Sequence, residues 1–173
     1  SLAGFFPVGA GGVGALEISG VHGDLMKKHF NSLTSGNDMK WDATEPNPGA
    51  FTFTNADQQV AFAVANGMKV RGHTLLWHNQ TPEWFFLDAN GKPNTREAQI
   101  ERMRAYIEKV AGRYKGRVDA WDVVNEVIDE HGGYRDTTWV RSVGDGDDQS
   151  VCRSFDCGVF DVERGGAINA LGR

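Results

Sequence analysis

The chain contains 173 residues, of which 40% are hydrophobic, and its formal net charge is −5. This length and composition allow one globular domain with a buried core. The negative charge and the lack of a basic stripe argue against a nucleic-acid partner, and no apolar run is long enough to cross a membrane. The sequence starts without an initiator Met and without a signal peptide, so we expect it to lie inside a longer precursor.

The first part of the chain predicts a strand, a helix and a second strand. Residues 5–10 form a short apolar run, which predicts a buried strand leading into a glycine-rich loop. A helix follows, with Val21, Leu25 and Phe30 as its expected apolar residues. Residues 31–34 then predict the second strand.

The middle of the chain predicts another helix and a third strand. After a long loop rich in Trp, Pro and Gly, Asn55 is the expected helix N-cap and Gly67 the C-terminal stop. Val60 and Val64 are expected on one face of this helix. Residues 69–74 predict the third strand.

A strongly periodic helix precedes the fourth strand. Thr95 is its expected N-cap, and Gly116 lies just beyond its end. Its apolar positions follow near-ideal helical spacing and comprise Ile100, Met103, Ile107, Val110 and Tyr114. The run 118–126 then predicts a buried strand that ends on the amide of Asn125 and the carboxylate of Glu126.

The order of these elements predicts the fold class. Strands that are continuous apolar runs and alternate with helices are typical of a parallel sheet covered by helices. The strand-to-helix loops are long and polar, whereas the helix-to-strand loops are short, which favours an α/β fold of the (β/α)8 TIM-barrel type. Because a complete barrel takes roughly 250 residues, we expect only about the first four β/α units here.

The end of the chain has a different character. Residues 143–173 are rich in Gly, Asp and Arg, so we expect a divergent, poorly ordered tail after an N-terminal half-barrel of residues 1–142. Cys152 and Cys157 lie in this tail and could close a small disulfide loop or remain free. Without histidine or further cysteine nearby, they do not indicate a zinc site.

Three polar and aromatic motifs follow the second, third and fourth predicted strands, at residues 37–41, 72–78 and 121–126. Trp and His side chains with Asn, Lys and Gln between them suit a sugar polymer, because aromatic faces stack on pyranose rings and polar groups bond to hydroxyls. Glu126 leaves a buried strand into this aromatic cleft. We therefore expect it to be desolvated, which would favour a proton-donating carboxyl of the kind that glycosidic cleavage needs.

In their order and spacing, the three motifs resemble those of family 10 glycoside hydrolases, the endo-1,4-β-xylanases, over roughly residues 5–142. The resemblance implies that the chain is the N-terminal half of the catalytic barrel of a retaining hydrolase that acts on the β-1,4-xylan backbone. It also implies that Glu126 is the general acid/base and that Asn125 bonds the 2-hydroxyl of the sugar being cleaved.

The same resemblance assigns further substrate contacts. It places Asn37 and Lys40 against sugars on the non-reducing side of the cleavage point, and His73 against the sugar at that point. The residues that it assigns to the cleft wall are Trp77, His78 and Gln80.

Several neighbouring residues also have structural interpretations. His78 and Trp84 are explained as well by packing as by ligand contact. Trp41 is expected to be a structural aromatic residue, not a sugar platform. Asp122, in mid-strand, is expected to hold a neighbouring side chain.

The chain departs from the family pattern in two ways. Gly36 stands where relatives usually carry Glu, and Asp38 stands where Glu is commoner. In a full-length version of the protein, we expect Gly36→Glu to tighten sugar binding by about one charge-assisted hydrogen bond. The family's nucleophile lies in a Thr-Glu-Leu-Asp-like motif at the seventh strand, and the 173 residues contain no such motif. We therefore expect the isolated chain to hydrolyse xylan far more slowly than a complete relative.

Two other functions are compatible with parts of the sequence. A non-catalytic carbohydrate-binding half-barrel would keep the sugar contacts, although retention of Glu126 with Asn125 favours descent from a catalyst. A metal-dependent hydrolase would use His73 and His78, but their five-residue offset and the lack of a third ligand disfavour it. We expect no metal and no other cofactor.

The expected partner is xylan or a xylo-oligosaccharide, with neither nucleic acid nor membrane. The edges of a half-barrel are expected to be long and apolar, which would favour self-association because a closed barrel has no free edge. The resemblance also implies an extracellular or periplasmic location, because the polymer lies outside the cell.

Overall fold

The computed structural model describes residues 2–143, 159–160 and 167–168. Four strands form one sheet in sequence order, and each neighbouring pair is parallel. They are β1 (Gly9–Val13), β2 (Ser32–Ser35), β3 (Lys69–Trp77) and β4 (Ala120–Asn125). Sequential parallel strands joined by helices are the arrangement of consecutive β/α barrel units, so the predicted fold class is confirmed.

Helices occupy the connections between the strands. They are α1 (Gly20–His29), α2 (Trp41–Thr44), α3 (Thr54–Ala65), α4 (Arg96–Arg113) and α5 (Thr138–Val143), with short 3-10 helices at Leu2–Gly4 and Glu83–Phe86. Farther along, β5 (Val159–Phe160) pairs antiparallel with β6 (Ala167–Ile168). None of the helices in the described ranges has the length and apolar character needed to span a membrane.

The hydrophobic core lies between the sheet and its helices, with Trp41 at its centre. The Trp41 ring stacks on the Tyr106 ring of α4, with 3.9 Å between the ring centroids, and the Trp41 side chain is buried. The Tyr106 hydroxyl shares a hydrogen bond of 2.9 Å with Thr44 Oγ1 of α2. Trp41 is therefore a structural residue, as predicted.

β3 and β4 lie so close together that one position requires glycine. A Cβ atom on Gly72 would lie 2.3 Å from a ring carbon of Trp121, its register partner on β4. The Trp121 ring therefore packs over the backbone of β3. This contact fixes the spacing of the two strands whose ends carry the candidate site.

The position of β1 differs from the sequence prediction. We predicted a buried strand at residues 5–10, but Phe5 and Phe6 are exposed and the strand begins at Gly9. Backbone pairing of Gly9 with Ser32 of β2 defines this strand. The prediction was wrong because it relied on apolar side chains, whereas glycine lets the two backbones approach closely.

The residues that α1 buries differ from the apolar residues that the sequence analysis named. Val21 and Leu25 are exposed, and the buried residues are Gly23 and Met26. A Cβ atom on Gly23 would lie 2.4 Å from the carbonyl oxygen of Ile18, so the helix packs on the preceding loop through a glycine. The spacing of hydrophobic residues in the sequence does not predict such a backbone contact.

The capping predictions have mixed outcomes. Thr95 caps α4, because its hydroxyl oxygen accepts a hydrogen bond from Ala98 N. Asn55 lies inside α3 and does not cap it, and its side chain donates to Asp38. Of the two valines assigned to one face of α3, Val60 is buried, whereas Val64 is exposed.

On the side of the sheet opposite α3 and α4, Arg71 and His73 of β3 meet Asp122 of β4. The expected long apolar edges are absent at β1, whose residues are Gly and Ala apart from the buried Val13. At the β4 edge, Val124 is 50% exposed.

Most of the predicted tail, including Cys152 and Cys157, lies outside the described residues, and the boundary at residue 142 stays a prediction.

Candidate active site

The candidate site lies where β2, β3 and β4 end. Parallel strands present their carboxyl ends at one edge of a sheet, which is where barrel enzymes carry their functional residues. β3 ends at Trp77 and β4 at Asn125, and these two residues are register partners. Asn37 and Lys40 lie in the loop after β2. The three sequence motifs therefore meet at one edge of the sheet.

Glu126 follows β4 in a strained backbone conformation. Its φ angle is 54°, in the left-handed region that non-glycine residues seldom adopt. Trp77 Nε1 donates a 2.9 Å hydrogen bond to Glu126 Oε2, and His78 Nε2 lies 3.9 Å from the same oxygen. Arg135 Nε donates to the Glu126 carbonyl oxygen at 3.1 Å. These contacts hold a conformation that costs about 1–3 kcal/mol in the absence of support.

The carboxylate of Glu126 is more exposed than the sequence predicts. We expected it to be desolvated in the cleft, but its side chain is 49% exposed. β4 is the last strand of the four-stranded sheet, so within the described residues no further strand of that sheet covers its outer side. The predicted desolvation is therefore absent from this part of the chain.

Lys40 connects the three motifs. Its Nζ donates to Asn37 Oδ1 at 2.9 Å and to Gln80 Oε1 at 2.7 Å. The same atom lies 4.5 Å from the centroid of the Trp77 ring, within the range of a cation–π interaction. One ammonium group therefore binds the loop after β2 to the end of β3.

The charge of Lys40 is buried and electrostatically coupled to Glu126. Lys40 is only 7% exposed. Burial lowers its pKa, and the carboxylates of Asp42 and Glu126 partly offset that shift because they favour the charged ammonium. A cation and the candidate acid thus lie close enough for their charges to interact.

Gln80 also has an unusual backbone. Its φ angle is 54°, and in the described part of the chain Gln80 and Glu126 are the two non-glycine residues with positive φ. The Gln80 carbonyl oxygen accepts from Asp42 N at 3.1 Å, and Gln80 Nε2 donates to Asp42 Oδ2 at 3.4 Å. Backbone strain of this kind clusters at functional sites, and here both instances lie in one site.

His73 lies within β3, before the strand ends at Trp77, and its side chain is hydrogen-bonded to Asp122. His73 Nδ1 is 3.0 Å from Asp122 Oδ2, and Arg71 forms an ion pair with the same carboxylate. Burial raises the pKa of Asp122, but the hydrogen bonds from Arg71 and His73 outweigh burial, so the net pKa is lowered. Asp122 therefore holds a neighbouring side chain, as predicted.

The structure joins most of the predicted site residues in one network, whose members are Asn37, Lys40, Trp77, His78, Gln80 and Glu126. The His73 ring centroid lies 6.5 Å from that of Trp77. Asn125 is placed beside Trp77 through strand register. Their roles toward a substrate stay predictions.

Other residues near the network were missed by the sequence analysis or have a structural role. Arg135 and Arg71 support Glu126 and Asp122, and no motif in the sequence points to them. Trp84 Nε1 donates to the Pro46 carbonyl oxygen at 3.1 Å, which favours the packing interpretation of that side chain. Among the described residues, no group of three or more His, Cys, Asp or Glu side chains is placed to hold a metal ion.

The expectation for position 36 needs correction. A Cβ atom on Gly36 would lie 2.9 Å from both the carbonyl carbon and the carbonyl oxygen of Gly12. A Glu at this position would have to displace the backbone of β1 before it could bond a sugar. The expected gain of one hydrogen bond therefore does not hold for this structure.

A parallel β/α sheet that carries functional side chains at the carboxyl ends of its strands is the arrangement of a (β/α) barrel. The sequence profile of Glycosyl hydrolase family 10 matches residues 10–156. The chain belongs to this family. The match extends beyond residue 142, which is the predicted end of the half-barrel.

Known relatives show the same family likeness. The chain is 51% identical over 139 residues to endo-1,4-β-xylanase C of Paenibacillus barcinonensis. This alignment covers 77% of this chain and 13% of that protein. The chain is 48% identical over 125 residues to endo-1,4-β-xylanase B of the same organism, covering 71% of this chain and 38% of that protein.

A solved structure shows the same fold. TsXylA, an intracellular xylanase from Thermoanaerobacterium saccharolyticum solved with xylotriose, superposes with a TM-score of 0.84 at 35% identity. The superposition covers 96% of this chain and 53% of TsXylA. The chain thus spans about half the length of this solved relative, and less of the two curated ones.

Proposed function

We propose that this chain carries the acid/base half of an endo-1,4-β-xylanase, a retaining glycoside hydrolase that acts on the β-1,4-xylan backbone. Glu126 is the proposed general acid/base. The observation that carries the proposal is the strained backbone of Glu126 at the end of β4, with Trp77 and His78 both at one carboxylate oxygen. Family membership and the xylanases among the relatives support the substrate class.

Retaining hydrolysis uses Glu126 in two steps. First, its carboxyl group gives a proton to the glycosidic oxygen while that oxygen leaves the anomeric carbon and a second carboxylate bonds to the carbon. Then the Glu126 carboxylate takes a proton from water, whose oxygen displaces the second carboxylate. Since Trp77 and His78 contact Oε2, we assign the transferred proton to Oε1.

The polar network around Lys40 is the proposed binding surface for backbone sugars. Lys40 donates, while the amides of Asn37 and Gln80 can both donate and accept, which suits neighbouring sugar hydroxyls. His73, held by Asp122, and Asn125, beside Glu126, are assigned to the sugar at the cleavage point. Xylan or a xylo-oligosaccharide is therefore the proposed partner.

The second carboxylate has to stand about 5 Å from Glu126 in a retaining site. Asp122 is nearby in sequence, but its oxygens are bonded to Arg71 and His73. We therefore propose that turnover depends on a carboxylate from the second half of a barrel. The 173-residue chain by itself is expected to bind xylo-oligosaccharides and to hydrolyse xylan slowly.

The second candidate function is a non-catalytic carbohydrate-binding half-barrel. The network of Lys40, Asn37 and Gln80 supports it, because these side chains can bond sugar hydroxyls without any acid. Both candidates predict binding of xylo-oligosaccharides. They differ in whether Glu126 affects hydrolysis.

The remaining proposals concern organisation and location. We propose that residues 1–142 form the half-barrel, that residues 143–173 are a separate tail, and that the half-exposed β4 edge favours self-association. An extracellular or periplasmic location would bring the chain to its polymer. The solved relative TsXylA is described as intracellular, so fractionation of the source cells is the direct test.

Reducing-sugar release from xylan tests the proposed function. We expect slow release by the chain and a further loss of about 100-fold in Glu126→Gln, because general acid–base catalysis contributes about that much or more. Glu130→Gln, an exposed carboxylate four residues away, is the matched control and should leave the rate unchanged. Tryptophan fluorescence should report saturable xylotriose binding in all three proteins.

The outcomes separate the candidates. Equal release by the chain and by Glu126→Gln, with xylotriose still bound, would favour the binding module. If xylotriose does not bind, both candidates are wrong.

A further inference from the structure

The chain turns back on itself directly after Glu126. Residues 127–135 form a short hairpin in which Arg135 N donates to the Val127 carbonyl oxygen at 2.9 Å. Asp129 closes the tip of the hairpin, because its Oδ1 accepts from two backbone N–H groups there, at 2.9 and 3.0 Å. The hairpin starts next to Glu126 and therefore returns its last residue, Arg135, to the end of β4.

Arg135 binds the backbone of Glu126 and not its carboxylate. Its Nε donates to the Glu126 carbonyl oxygen at 3.1 Å. The φ angle of 54° at Glu126 sets the direction in which the side chain leaves β4, and this angle is uncommon for a residue other than glycine. A hydrogen bond to the carbonyl oxygen supports that conformation and leaves both carboxylate oxygens available.

The chain that follows the hairpin contacts the second partner in the site, Trp77. The second residue of α5, Trp139, donates from Nε1 to Thr81 Oγ1 at 3.2 Å. The Thr81 hydroxyl in turn donates to the Trp77 carbonyl oxygen. One hydroxyl thus accepts from Trp139 and donates to Trp77, so it links α5 to the end of β3.

Packing holds Trp139 in place at the other end of this link. The ring centroid of Trp139 lies 4.4 Å from that of Phe85, which is fully buried. At the end of α5, Val143 is buried and its carbonyl oxygen accepts from Arg96 Nε at 2.7 Å. The hydrogen bond to Thr81 therefore comes from an indole ring that the aromatic core and α4 keep fixed.

These contacts form a closed circuit around the proposed acid. The circuit runs from Glu126 to Arg135, along the chain to Trp139, through Thr81 to Trp77, and back to Glu126 Oε2 through the Trp77 indole. The Trp77–Glu126 hydrogen bond joins side chains at the ends of two different strands. Each of its two residues is held at its own carbonyl oxygen by the segment that follows β4.

We propose that Arg135 and Trp139 are positioning residues of the acid/base site. Together they fix the backbones of Glu126 and Trp77, and so align the Trp77 indole N–H with Glu126 Oε2 and leave Oε1 for the transferred proton. Neither residue is assigned a contact with the sugar. The inference rests on the proposed role of Glu126 and deepens it. If the two residues only stabilised α5, their loss would not alter the Trp77–Glu126 hydrogen bond.

Nuclear magnetic resonance tests this alignment on the whole chain without a substrate. An isotope-labelled chain gives one indole N–H signal for each of its five tryptophans. Trp77→Phe identifies the Trp77 signal, and Glu126→Ala gives the position and the hydrogen-exchange rate of that signal when the acceptor is missing. The wild-type signal should differ from this reference and should exchange more slowly with solvent.

Two variants each remove one hydrogen bond of the circuit. Arg135→Met removes the guanidinium, and Trp139→Phe removes the indole N–H but keeps an aromatic ring against Phe85. Each should move the Trp77 signal toward its position in Glu126→Ala. Each should also speed the exchange of that proton by about tenfold, the equivalent of about one net hydrogen bond. Arg135→Lys retains a donor and should restore most of the wild-type signal.

Matched controls remove the same chemical groups elsewhere. Arg141→Met removes a guanidinium from α5 that forms an ion pair with Asp136. Trp84→Phe removes an indole N–H that donates to the Pro46 carbonyl oxygen. Both controls should leave the position and the exchange rate of the Trp77 signal unchanged.

Hydrolysis of xylan provides a second readout. The slow release by the chain should fall by about tenfold to 100-fold in Arg135→Met and in Trp139→Phe, because a misplaced acid loses its alignment with the glycosidic oxygen. The loss should lie in kcat more than in KM, since neither residue is assigned to sugar binding.

The proposal is overturned if the Trp77 signal is unchanged in both Arg135→Met and Trp139→Phe, or if the two controls change it equally. If one variant fails to fold by circular dichroism, the other decides, and if both fail, the residues are structural and the proposal is wrong. An altered Trp77 signal together with hydrolysis that is insensitive to Glu126→Gln would retain the alignment and overturn only the proposed function.

Discussion

The side of the sheet that faces α3 and α4 is apolar and closed, whereas the opposite side carries Arg71, His73 and Asp122 and is partly open to solvent. On the closed side, rings stack and few polar groups need partners. On the open side, Asp122 is bonded to Arg71 and His73. The hydrophobic core and the Asp122 cluster thus lie on opposite faces of the same strands.

The two sides of the sheet also differ in backbone strain. In the described chain, the non-glycine residues with positive φ, Gln80 and Glu126, both follow strand ends in the candidate site. The closed side contributes none of them. A well-packed core can support a strained site, because the cost of about 1–3 kcal/mol per residue is offset by interactions elsewhere.

The largest expected effect concerns the closed side. Trp41→Ala should lower the free energy of unfolding by about 3–5 kcal/mol, because it leaves a cavity beside Tyr106. Urea denaturation followed by circular dichroism measures the change. Trp84→Ala, at a partly exposed ring, is the control and should cost less than half as much. Equal costs would mean that the core is not centred on Trp41.

The next largest effect concerns the open side. Lys40→Met should weaken xylotriose binding by about 1.5–3 kcal/mol, the range for hydrogen bonds to a charged group. It should also lower the free energy of unfolding by about 1–3 kcal/mol, because Asn37 Oδ1 and Gln80 Oε1 lose their hydrogen-bond donor. Lys109→Met on α4 is the control. A large loss of stability with unchanged binding would assign Lys40 to the closed side of the comparison.

A smaller effect should appear as a pH dependence. The pKa of Asp122 is lowered in the folded chain by Arg71 and His73, which outweigh burial, so this group stabilises the fold above its unfolded pKa. That contribution is lost as the pH falls through the lowered, folded pKa. The difference in unfolding free energy between wild type and Asp122→Asn should therefore be largest near neutrality and shrink below about pH 4.

The matched control for this pH effect is Asp57→Asn. A hydrogen bond from Arg113 lowers the pKa of Asp57, so this variant should show a pH dependence of the same sign. It should not alter xylotriose binding, whereas Asp122→Asn should, because His73 loses its partner. A pH-independent difference for Asp122→Asn would contradict the assigned cause.

The smallest effect concerns an exposed ion pair. Lys69 Nζ lies 2.6 Å from Asp119 Oδ1, and the Lys69 side chain is largely exposed. Lys69→Met should change the free energy of unfolding by less than about 0.5 kcal/mol. Asp119→Ala should cost more, because Asp119 Oδ2 also accepts from Val70 N at 2.8 Å. Thermal melts of both variants give the ranking, and a larger cost for Lys69→Met would reverse it.

The elements differ in how well the sequence predicts them. α4 was predicted accurately, because an 18-residue helix repeats its apolar stripe several times and Thr95 caps it. β1 was misplaced, because five residues that are mainly glycine carry almost no hydrophobic pattern. The local pattern predicts an element when side chains determine its packing, and fails when backbone contact does.

The candidate site shows the same division. The three motifs and the fold class were enough to predict that Asn37, Lys40, Trp77 and Glu126 gather at one edge of the sheet. The partners that hold them were not predictable, since Arg135 and Arg71 belong to no motif. The strand pattern also does not predict the exposure of the Glu126 side chain, because that exposure depends on which residues pack against the outer side of β4.

The sequence by itself determined the order of strands and helices, the family and the residue types at the strand ends, because these depend on local periodicity and on motif spacing. The tertiary structure alone decided which faces are buried, which oxygen of Glu126 meets Trp77 and His78, and that Gly12 and Gly36 touch. Those facts depend on contacts between residues far apart in the chain, and hydrophobic periodicity carries no information about such distances.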